Sequence, residues 1–181
     1  MRSHRQRIGT LIQCAFFAAL LAVSAWIQVP GAIPFTLQTM AVCIIGALAG
    51  LRKGILSLLL YFAIGAIGLP VFSGFNGGIG AFFGPTGGFI MGFVCIIAVI
   101  GPGMRLFPRN RTALVLSMGV GVALCYVVGV VWFMGVYAAH GEAVSLSGAI
   151  SVCVIPFLLP ECAKIATAAV IVQRLQKANI G

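Results

Sequence analysis

Negative charge is almost missing from this sequence. It has no aspartate, and Glu142 and Glu161 stand alone against eleven Lys and Arg. Charged residues of either sign make up 7% of the chain and apolar ones 61%, a balance that no water-soluble fold of 181 residues could bury. No GxxxxGK[ST] phosphate loop occurs, and the glycines of GFNGGIGAFFGPTGG (residues 74–88) have no lysine among them, so the chain does not hydrolyse ATP by itself. The cysteines Cys14, Cys43, Cys95, Cys125, Cys153 and Cys162 form no CxxC or Cys/His spacing. That excludes a zinc-type centre and leaves them as small packing residues, with no metal site expected. His4 and His140 have no nucleophile or ligand beside them in sequence and read as surface histidines. The basic residues are scattered singly or in small groups without aromatic neighbours, which argues against nucleic-acid binding.

What is present is a succession of apolar runs. At roughly 20 residues per membrane helix, the chain suffices for six short spans and no separate soluble domain. The runs predict an all-α, polytopic membrane protein, one domain over residues 1–181, with spans at 8–27, 36–51, 54–70, 86–104, 112–138 and 149–173. Lys and Arg occur before the first span, after the second, after the fourth and after the sixth, and the other three connections, 28–35, 71–85 and 139–148, have none. This alternation is the positive-inside pattern and predicts that both termini are cytoplasmic. The second span, at about 22 Å, is short for a crossing. A re-entrant segment there would leave Arg52 and Lys53 in hydrocarbon, so a crossing is the better reading. Val23-Ser24-Ala25 resembles a cleavage site, but the preceding apolar run is long for a signal peptide, and the segment is expected to stay as the first span.

Two features rise above a plain bundle. The segment GLPVFSGFNGGIGAFFGPTGGFIMG (residues 68–92) is too rich in glycine for a helix, and its amides, with Ser73, Asn76 and Thr86, offer neutral donors able to hold a carboxylate at the outer mouth. Within it, Gly84, Gly88 and Gly92 fit small-residue packing sites on the fourth span. The second feature is Glu161 and Lys164, three apart and so on one helix face, in the last span. Each charge costs roughly 2.5 to 3.5 kcal/mol near a span's centre. A structural pair and a proton relay are open, but Pro156 and Pro160 interrupt the outer part of this helix and favour a polar ligand site reached from outside.

The segments IPFTLQT (33–39), GLPVFSG (68–74) and GPTGGF (84–89), followed by the acid-x-x-Lys pair Glu161 and Lys164, resemble the BioY family, the biotin-binding S components of energy-coupling factor (ECF) transporters, over essentially the whole chain. The resemblance implies a six-helix fold in a bacterial cell membrane with a vitamin pocket on the outer side. It implies biotin as the carried ligand and no cofactor, a transmembrane coupling subunit and two ATPase subunits as partners, contact with membrane lipid, and leaves a homo-oligomer open. Glu161 stands where the family more often has Asp, and Pro160 adjoins it without a spacer residue. Asn76 lies in the loop that carries a ligand-binding Asn in the family. In the site so implied, Glu161 accepts a ureido N–H, Lys164 donates to the ureido oxygen, and Phe72, Phe75 and Phe35 supply apolar walls.

The first span aligns Ala15 with Ala19 and Ala18 with Ala22, stripes that admit a close helix neighbour, internal or foreign. The family resemblance assigns them to the coupling subunit. Trp26 and Trp132, near the outer span ends, read as an interfacial belt. A solute-binding transport subunit is therefore the leading reading. A channel or assembly protein is the alternative, and an intramembrane enzyme would need a second catalytic group beside Glu161 and Lys164, where none is evident.

Overall fold

The structure is a computed structural model that describes residues 2–31 and 33–178. Ala32, in the first expected outer loop, lies outside the described residues, as do the ends of the predicted domain, 1 and 179–181. In chain order it comprises α1 (Arg2–Trp26), a two-stranded antiparallel ribbon of β1 (Gln28–Val29) and β2 (Phe35–Thr36), and α2 (Gln38–Ala66). There follow the short α3 (Gly80–Phe83), α4 (Gly87–Leu106), α5 (Arg111–Ala139), α6 (Leu146–Cys153) and α7 (Leu158–Lys177). Five segments are long and apolar enough to cross a membrane. One of them, α2, consists of two arms, because its helix is broken at Gly50.

Gly50 has φ 69° and ψ −175°, a region open essentially to glycine alone. The reversal is visible in what its flanks touch: Gln38 Nε2 donates to Tyr61 Oη at 2.7 Å, although a continuous helix would hold residues 23 apart at about 34 Å. Gly46 and Gly54, each four residues from the turn, both lie against Ile97 of α4. The expected spans 36–51 and 54–70 are thus the arms 38–49 and 51–66 of one hairpin, with Arg52 and Lys53 at its tip. The first arm is only about 18 Å long, and residues 33–37 with the ribbon precede it.

The last expected span, 149–173, is interrupted. α6 ends at Cys153, Pro156 sits in a 3-10 turn over Ile155–Phe157, and α7 starts anew at Leu158. Pro160 falls in α7's first turn, where a missing N–H costs no helical hydrogen bond. Packing runs α1 on α2, α2 on α4 and α4 on α5, with α7 closing against α2 and α5. The core includes Leu21, Val42, Ile45, Leu58, Ile96, Ile97, Ile100 and Met118.

Several packing expectations are decided here. Gly88 and Gly92 are close-approach sites, against Trp132 and Cys125 respectively, whereas Gly84 has ordinary clearance. Trp132 is half-buried on α4 and donates from Nε1 to the Gly84 carbonyl at 3.0 Å. Trp26 is 39% exposed at the C-terminal end of α1 and donates to the Pro70 carbonyl. Of the helix 1 stripe, Ala18 and Ala22 are buried against the chain's own core, together with Cys14, Leu21 and Ala25, so they cannot face a partner. Ala15 and Ala19 are exposed.

Candidate functional site

The break before α7 puts Glu161 in the first turn of a helix, where the unpaired N–H groups and the helix dipole favour a carboxylate even at membrane depth. Lys164 follows one turn later. Its Nζ lies 2.6 Å from Glu161 Oε2, donates to Thr39 Oγ1 at 2.6 Å and to the Thr36 carbonyl at 3.0 Å, and sits 4.5 Å from the centroid of the Phe35 ring. An ammonium has three hydrogens, and all three have an oxygen here. Both residues are buried, at 5% and 7% exposure. Glu161 Oε2 also accepts from Tyr126 Oη at 3.3 Å, while Oε1 is buried with no partner among the described residues. A buried carboxylate oxygen without a donor is costly, and marks an acceptor that a ligand N–H would satisfy.

Lys164 and Tyr126 border a cavity of about 60 Å³. The β2 end and the start of α2 supply Phe35, Thr36, Gln38 and Thr39; α4 and α5 supply Phe89, Ile90, Phe93 and Cys125; Phe157 closes the α7 side. Phe157 stacks on Phe35, with ring planes 7° apart and centroids at 6.3 Å. Gln38 is held from behind, since Tyr61 Oη takes its amide hydrogen and itself donates to the Val71 carbonyl. Glu161 stands one layer back, behind Lys164 and Tyr126. Ser73, Thr86 and Ile90 are shared with a second cavity of about 230 Å³, to which Phe72, Asn76, Gly77 and Gly84 also contribute.

Of the residues singled out from the sequence, Lys164, Phe35 and Ser73 line the first cavity, and Glu161 adjoins it through its contacts with Lys164 and Tyr126. Asn76 does not reach the pair; it is exposed at the second cavity and donates to the Ser73 carbonyl. Phe72 is a core residue: it packs edge-on to Tyr61 and Phe82, and a Cβ on Gly65 would overlap its ring, so its contact with the second cavity is incidental to its packing. The expectation that Phe75 walls the pocket is corrected. With φ 56° its side chain turns outward, is 63% exposed and stacks on Trp26. The reading from the sequence missed Thr36, Thr39, Gln38, Tyr126, Phe89 and Phe157 as site residues. Gln38 and Tyr126 carried a signal, because a polar group within an apolar span needs a partner.

A model of the BioY family matches residues 1–180. The chain is 36% identical over 171 residues to the biotin transporter BioY of Thermotoga maritima, covering 94% of this chain and 97% of that protein. It is 37% identical over 163 residues to the probable biotin transporter BioY of Pyrococcus horikoshii, covering 90% and 93%. Among solved structures it resembles the S-component for biotin from an ECF-type ABC transporter, with a TM-score of 0.84 and 28% identity over 96% of this chain and 93% of that one.

Proposed function

This chain belongs to the BioY family, and from that premise we propose that it is the biotin-binding membrane subunit of an uptake system, energised by ATPase partners through a transmembrane coupling subunit. Its ends lie in the cytoplasm in this reading, and the cavities open outward. The observation that carries it is the buried Glu161 and Lys164 pair beside a cavity with apolar walls, with one carboxylate oxygen still lacking a donor. Biotin's ureido ring combines N–H donors with a strong carbonyl acceptor, the complement of a carboxylate beside an ammonium. On binding, the ureido oxygen takes a Lys164 hydrogen now given to Thr39 or Thr36, and a ureido N–H meets Glu161. The valeryl chain then runs toward the second cavity. There Ser73, Asn76 and Thr86 supply neutral donors for its carboxylate, and no Lys or Arg lines that cavity.

Calorimetric titration of the detergent-purified chain tests the reading. Biotin should give a saturable one-site isotherm, and thiamine and riboflavin none. Saturable binding of either other vitamin, with no heat from biotin, would overturn it.

A further inference from the structure

At the end of the molecule opposite the ribbon, the start of α5 meets the end of α7 around a cleft of about 560 Å³ lined by Arg109, Arg111, Gln173, Gln176 and Lys177. Three cations face one concavity, and among the described residues no Asp or Glu lies near: Glu142 follows α5 at the far end, and Glu161 is paired with Lys164 inside the bundle. The placement also runs against helix electrostatics. Lys177 suits the negative C-terminal end of α7, but Arg111 is the first residue of α5 and Arg109 lies two before it, at the positive end of a 29-residue helix. Arg109 moreover adopts φ 62°, a left-handed conformation that residues with a Cβ seldom take. Orientation in the membrane would be served by cations spread along the loop, and does not require three around one cleft. A bound anion turns this repulsive grouping into a favourable one.

We propose that this cleft binds the phosphate of an anionic phospholipid headgroup. Arg109 and Arg111 would take the phosphate oxygens through their guanidinium forks, Lys177 would add a third charge, and Gln173 and Gln176 would offer amide donors to the glycerol headgroup. Its neighbours identify a lipid and not a free anion. Leu106 and Phe107, at the turn leading into Arg109, are 72% and 57% exposed and form an apolar ledge where acyl chains begin. Basic clefts between spans, level with the headgroups, are recurrent sites for such lipids.

The test is native mass spectrometry of the purified full chain, titrated separately with phosphatidylglycerol and phosphatidylcholine. Wild type should prefer phosphatidylglycerol by at least about tenfold, and the triple variant Arg109→Gln, Arg111→Gln, Lys177→Gln should lose about 10- to 100-fold in phosphatidylglycerol affinity, with phosphatidylcholine unchanged. Biotin titration of the same sample reports that the variant is folded. The control Arg52→Gln with Lys53→Gln, at the other basic turn, should keep the preference. Three results would each overturn the proposal: a preference that survives in the triple variant, an equal loss in the control, or displacement of the lipid by millimolar inorganic phosphate at matched ionic strength. So would a triple variant that still prefers phosphatidylglycerol but no longer copurifies with its transporter partners, since the cleft would then serve a protein.

Discussion

Lys164 has no hydrogen to spare, and Glu161 has one oxygen too many; this imbalance sets what single substitutions do. Hydrogen bonds with a charged partner are worth about 1.5 to 3 kcal/mol, and deleting one partner strands the other in a buried place. Glu161→Gln and Lys164→Met are each expected to weaken biotin binding by about 10- to 100-fold or more in calorimetry. Glu161→Asp should stay within about tenfold, since the charge and both acceptor oxygens survive with one methylene removed. The double variant Glu161→Gln, Lys164→Met should insert and melt at least as well as wild type, because two costly charges are gone, yet not bind. Normal binding by that variant would reduce the pair to a structural role. The pair was legible in the sequence because charge within an apolar run is conspicuous. Its partners Thr36 and Thr39 lie more than 120 residues away and became visible only once the fold brought α2 beside α7. Phe75 misled for a different reason: a loop side chain's direction follows its own φ, and a positive φ at a phenylalanine leaves no mark in a hydropathy pattern.

At the level of elements, two sequence signals carried a great deal. Arg52 and Lys53 between apolar runs announced the hairpin, and Pro156 announced the break before α7. The turn itself depends on Gly50, whose dihedrals cost a residue with a Cβ of order 1 to 3 kcal/mol. Gly50→Val should therefore lower the melting temperature in detergent while leaving the stoichiometry of biotin binding at one; an unchanged melting curve would show that the turn relaxes freely. Helix 1 was half legible. Two alanine stripes one helical step apart look alike in sequence, and which of them faces inward is set by Leu21 and Ala25, which share the buried face with Ala18 and Ala22. The outer stripe, Ala15 and Ala19, adjoins exposed Ile12, Phe16 and Val23, a low and apolar strip that suits a neighbouring helix. Ala15→Trp with Ala19→Trp is expected to abolish copurification with the coupling subunit and to change biotin affinity less than about threefold, since neither residue touches the cavities. Loss of vitamin binding with the complex intact would make the strip an internal seam.

For the molecule as a whole, the proposed sidedness rests on where Lys and Arg fall, and cysteine labelling tests it. In cells expressing a variant freed of native cysteines, Glu142→Cys should react with an impermeant maleimide added outside and Arg52→Cys should not; both positions are exposed. The reverse pattern would turn the proposed transporter upside down. The size of the first cavity has a further implication, for the rate of binding. About 60 Å³ of room lies within walls that include the stacked Phe35 and Phe157, and all three hydrogens of the Lys164 ammonium are engaged there. Loading a fused bicyclic ring is then expected to require the stacked Phe35 and Phe157 to part and Lys164 to release a threonine oxygen, which predicts association through a gate. Binding that needs such a change is slower than orientation-limited docking, and a gate that opens before ligand enters gives an observed rate that stops rising with concentration. Stopped-flow measurement of intrinsic fluorescence should show this plateau with biotin, and Phe157→Ala should raise it. A rate that climbs linearly through the millimolar range would mean that the vitamin meets an already open door.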